Sequence, residues 1–67
     1  MMYEMINRMK EEINAEIKHI ATYEKKNGRT DHYYAGYNRI IGMIKMLHIV
    51  TGKDYTISES GLKEKEA

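Results

Sequence analysis

Apolar residues recur along the first part of the chain at Met2, Ile6, Met9, Ile13, Ile17 and Ile20, three and four positions apart. That spacing predicts an amphipathic helix with one apolar stripe about 100° wide. Glu4, Asn7, Glu11, Asn14, Lys18 and Lys25 fall on the opposite, polar face. Lys25 and Lys26 suit the negative end of the helix dipole, and Asn27-Gly28 reads as a stop. The first helix is expected over residues 2–26.

A second helical pattern opens at Thr30 or Asp31, both good N-caps, and ends near Thr51 with Gly52 behind it. The turn between them, residues 27–30, is short enough to make the two helices antiparallel neighbours. Residues 53–67 are patterned more weakly. "DYTIS" has the composition of a short extended segment, and "SESGLKEKEA" that of a helical stub or a frayed end. The expected fold class is all-α: an antiparallel two-helix hairpin over residues 1–52 and a short irregular C-terminal tail over 53–67.

The second helix is apolar on too many sides. Tyr33, Tyr37, Ile40, Ile44, Leu47 and Thr51 form a central stripe, widened by Gly36, Met43 and Val50 on one flank and Ile41 on the other. The arc covers about half the helix, more than one neighbouring helix can cover. Farther round, Ala35, Gly42 and Ile49 recur every seven residues beside Met46. Small residues on a helix face let another backbone come close, so Ala35, Gly42, Met46 and Ile49 are the expected dimer interface. The hairpin is expected to dimerise into a four-helix bundle.

Chain length sharpens this expectation. A domain of 67 residues is marginal alone, and small domains rely on disulfides, metals or oligomerisation. Cysteine is absent, which excludes disulfides and thiolate metal sites. Histidine is limited to His19, His32 and His48, so no metal centre or cofactor is expected. Glu16-Ile17-Lys18-His19 has the E-x-x-H spacing of carboxylate-bridged di-iron bundles. The second helix holds no glutamate, however, and the four-carboxylate set cannot be completed.

Charge narrows the partners. Eleven basic and ten acidic residues leave a net charge of +1, without the basic excess typical of nucleic-acid binders. The chain meets Glu4, Arg8 and Lys10 before any apolar run, so no signal peptide is expected. Lack of cysteine fits a reducing compartment, and the expected location is cytoplasmic. No nucleophile–base constellation or glycine-rich phosphate loop is legible, so no enzymatic activity is expected.

Two polar features stand out. Glu16 lies within the apolar arc of the first helix, where a carboxylate needs a partner. Antiparallel pairing brings Tyr37 and Lys45 within reach, so Glu16, Tyr37 and Lys45 form an expected buried polar group. The hairpin tip, "YEKKNGRTDHYY", sets basic groups among tyrosines. Lys25, Lys26, Arg29, His32, Tyr33 and Tyr34, with Arg39 further along, are the expected ligand or partner contacts. Such mixtures hold anions, stack bases or serve as protein hot spots.

The stretch Tyr33–Ile41, "YYAGYNRII", resembles helix starts in small accessory proteins of phages and mobile elements. The resemblance covers that stretch alone, and it implies a protein that inhibits or redirects a host factor. The leading expectation is thus a small non-enzymatic homodimeric interaction protein with a larger protein as its target. Two alternatives stand beside it: sequestration of a small anionic, nucleotide-like ligand by the dimer, and nucleic-acid binding through the basic tip.

Overall fold

Ile13, Ile17 and Ile20 are the buried stripe of the first helix, and Tyr33, Ile40 and Leu47 face them from the second. These elements come from a computed structural model that describes residues 2–65. Met1, Glu66 and Ala67 lie outside the described residues, as does the side chain of Met2, placed above in the apolar stripe. Helix α1 spans Met2–Asn27 and helix α2 spans Asp31–Thr51, antiparallel across a three-residue turn. Gly36 lets the helices close up, since a Cβ there would stand 2.7 Å from Cγ2 of Ile20.

Both ends of α2 are capped. The N–H of Tyr33 donates to Oγ1 of Thr30 at 3.4 Å, and the Tyr23 hydroxyl joins the same oxygen at 2.8 Å. That second bond ties α1 to the start of α2. At the other end Gly52 takes a left-handed conformation (φ 72°), and its N–H donates to the His48 carbonyl at 2.7 Å. Nδ1 of His48 lies 3.1 Å from the Lys53 carbonyl and 3.0 Å from a carboxylate oxygen of Asp54, fastening the chain as it leaves the helix.

The tail is not irregular, and the fold is therefore not all-α. Strands β1 (Tyr55–Ser58) and β2 (Gly61–Glu64) form an antiparallel hairpin in which Tyr55 faces Glu64 and Ile57 faces Leu62. The correction has a packing origin. Two four-residue strands are marginal by themselves. Pairing Ile57 with Leu62 puts both on the same side of the ribbon as Tyr55, two residues before Ile57, and all three join the apolar core. Tyr55 is buried, with the Lys10 ammonium 5.3 Å from its ring centre.

Asn14, read from the sequence as part of the solvated face of α1, holds this hairpin in place. Its Oδ1 accepts the N–H of Leu62 at 2.7 Å. Gly61 sits against the same side chain, at a backbone conformation (φ 119°) that L side chains rarely adopt. Asn14→Ala is expected to cost about 0.5–1.5 kcal/mol, the net worth of one hydrogen bond, since water reaches the exposed Leu62 N–H in its place. Hydrogen exchange of the Leu62 amide should accelerate while amides in the middle of α2 stay protected. Unchanged exchange at Leu62 would show that the bond carries no stability.

Candidate functional site

The β-hairpin packs on one face of the helix pair and leaves the other open. On that open face runs a groove of about 480 Å³ between α1 and α2. Met5 and Met9 line it from α1, and Met43 and Met46 from α2, with Ile13 at its floor. Met5 is 63% exposed and Met46 54%, a large apolar exposure for two residues flanking one crevice. Methionine is flexible and polarisable and repacks around varied apolar partners.

Gly42 also lines the groove. Apart from its own helix backbone and chain neighbours, no heavy atom among the described residues lies within 4 Å of where its Cβ would stand. Glycine in a helix interior costs about 1 kcal/mol against alanine. Gly36 recovers that cost through close helix packing, whereas Gly42 has no such return inside the protomer.

Charges of both signs rim the groove. Arg8 and Glu12 stand on the α1 side and Arg39 on the α2 side. Arg39 Nη1 donates to Oε2 of Glu16 at 3.4 Å, with the arginine side chain 60% and the glutamate 29% exposed. Among the described residues Arg8 and Glu12 form no ion pair within 4 Å.

This geometry corrects the expected buried polar group. No polar side chain is buried among the described residues, and Glu16 pairs with Arg39 rather than with Tyr37 or Lys45. The β-hairpin covers the other face of the helix pair, so Glu16, on the open side, stays partly in water. Tyr37 is 37% exposed and stacks against Tyr33, at 6.2 Å between ring centres. Lys45 turns to a different hollow, beside His48 and Tyr55.

The expected interface residues divide likewise. Gly42 and Met46 line the groove, while Ile49 lies in the hollow with Lys45 and is exposed, as is Ala35. Of the expected contact residues, Arg29, Tyr33 and Tyr34 come together, while Lys25, Lys26, His32 and Arg39 do not join them. Arg29 Nε donates to Oε2 of Glu24 at 2.6 Å, and its guanidinium lies 5.6 Å from the centre of the Tyr33 ring. The bond to Glu24, reinforced by that carboxylate's charge, holds the Arg29 pKa above its ordinary value. Tyr33 itself is buried and packs edge-on against exposed Tyr34. His32 points across the turn to Tyr23, 4.6 Å between ring centres, with His19 6.4 Å away. Lys25 and Lys26 are exposed on the last turn of α1, and Arg39 belongs to the groove.

Met5, Arg8 and Glu12 were not legible as site residues. Their signal was the flank of the α1 stripe, where Met5, Met9 and Glu12 fall together once the side away from the β-hairpin is known. No protein-family model, curated protein or solved structure matches this chain. No helix among the described residues is long and apolar enough to cross a membrane.

Proposed function

We propose that this protein is a non-enzymatic interaction protein that works as a homodimer and binds a larger polypeptide, and that its methionine-lined groove is a docking site for a helix. The observation that carries this reading is the pairing of Met5, Met9, Met43 and Met46 with an uncovered Gly42 on the face the β-hairpin leaves bare. An apolar helix laid there buries methionine surface and comes close to the α2 backbone at Gly42, in the manner of helix-in-groove recognition. Exposed Tyr34 and Tyr37, on another side of α2, remain available to a larger target. Inhibition or redirection of that target is the outcome implied by the resemblance of Tyr33–Ile41.

The anion and nucleic-acid readings stand second. Arg29 is engaged by Glu24 and the Tyr33 ring, and His32 packs against Tyr23.

The test is capture from the protein's own cells with tagged wild type and tagged Gly42→Leu, compared quantitatively. Wild type is expected to retain a polypeptide, an untagged copy or another protein, that Gly42→Leu loses while keeping its helical circular dichroism. Identical retained sets would overturn the groove as the docking site.

A further inference from the structure

We propose that the helix seated in the groove belongs to a second copy of this chain, with α1 of each copy lying over α2 of the other and Glu12 of each reaching Arg39 of the other. This inference rests on the reading of the groove as a docking site, and it names the occupant.

Charge makes the selection. On the α1 side the rim has Arg8 and Glu12, and on the α2 side Arg39. A wholly acidic helix would meet Glu12, and a wholly basic one would meet Arg8 and Arg39. A rim of two arginines and one glutamate matches an occupant of mixed sign, and α1 itself is one. Laying α2 against its own copy would face a rim whose charge is Arg39 with the same rim. Laying α1 over α2 instead brings Glu12, which has no ion-pair partner among the described residues, to Arg39. Arg39 can accept it. A guanidinium carries five N–H donors, and the structure shows one directed at Glu16, at 3.4 Å.

Shape agrees with charge. Arg39 lies level with Glu16 across the hairpin, and Gly36 with Ile20, so Gly42 lies close to the level of Ile13. An isologous pair uses the open space at Gly42 twice, once for each α1 crossing it. The exposed methionines of one copy then meet those of the other. Helices related in this way are antiparallel to their facing neighbours, which also opposes their dipoles favourably. The result is a four-helix core with both β-hairpins on the outside.

The experiment is sedimentation velocity on the purified full chain from low micromolar to millimolar concentration. Wild type is expected to reach twice the protomer mass of 7.9 kDa. Glu12→Arg sets arginine against arginine across the interface, and Arg39→Glu sets glutamate against glutamate. Each is expected to raise the dimer Kd about tenfold or more. Mixing the two variants restores both opposite-charge pairs, so the mixture is expected to form a heterodimer near wild-type affinity. Circular dichroism of each variant alone confirms that the helices persist.

Recovery on mixing would establish both the occupant and the arrangement. Variants that dimerise as well as wild type, or a mixture no tighter than either variant, would overturn the arrangement. A wild type that stays monomeric throughout would overturn the second copy as occupant. In that case a Gly42-dependent capture from cells would leave the docking reading standing, and its absence would remove both.

Discussion

Leu47→Ala is expected to lower the unfolding free energy by about 2–5 kcal/mol, the usual range for a large aliphatic residue truncated inside a core. Leu47 is fully buried, as are Ile13 and Ile40. The cavity it leaves would lie under both helices and cannot be filled without moving one of them. At roughly 0.05–0.15 kcal/mol per residue, a chain of this length holds about 3–10 kcal/mol in all. The substitution therefore removes a large share of the total and leaves a measurable unfolded fraction without denaturant. Urea titration followed by circular dichroism, at a fixed protein concentration, measures it. A midpoint within error of wild type would mean that the two helices do not meet at Leu47. Protein concentration must be matched, because association stabilises the folded state by mass action.

The second expected result is a reversal of sign between two glycines on one helix. Gly36→Ala and Gly42→Ala are the same chemical change at interior positions of α2. Each gains about 1 kcal/mol of helix propensity. At Gly36 the new methyl stands 2.7 Å from Cγ2 of Ile20, a stiff, buried, β-branched side chain, so the helices must separate. Overpacking of that kind costs about 1–3 kcal/mol, and the net expectation is a loss of about 1 kcal/mol. At Gly42 the methyl meets no other side chain among the described residues, and the propensity gain of about 1 kcal/mol survives. Thermal melts of the two variants at low micromolar concentration should therefore move in opposite directions. For a domain of this size each kcal/mol shifts Tm by about 4–8 °C. Equal losses at both positions would show that Gly42 is packed within the protomer and that the groove is not open at its α2 wall.

Gly42→Ala further separates stability from assembly. It strengthens the isolated helix and at the same time places a methyl in the proposed crossing point. A variant with a more stable protomer and weaker association would assign glycine at this position to docking rather than to folding.

The two helices were legible in the sequence because helix formation here is a local matter. Spacings of three and four mark α1, and Asn27-Gly28 and Thr30-Asp31 mark its end and the start of α2. The helix expected over residues 2–26 continues one residue further, to Asn27, and α2 spans Asp31–Thr51. Each of those signals operates within a few residues of the backbone group it satisfies. The excess of apolar surface on α2 was also legible, since it needs only a count around a wheel. The extended character of "DYTIS" was legible and became β1, but its pairing with β2 was not, because four-residue strands gain their stability from Asn14 and the apolar stripe of α1, 48 positions before Leu62 in the case of the hydrogen bond. The partner of Glu16 was likewise misplaced: the structure sets Arg39 level with it, so Lys45, six residues on, lies about 9 Å farther along α2, and the register between the helices has no local signature.

The sequence by itself determined two helices, their caps, the short turn that makes them antiparallel, and more apolar surface than one helix can cover. The tertiary structure alone decided which part of that surface is covered. The β-hairpin packs on the side of Asn14 and leaves the side of Met5, Met46 and Gly42 open. The reason is that a helix wheel reports how much apolar surface a segment carries, whereas the side on which it is buried depends on contacts with residues distant in the chain, and these have no local signature.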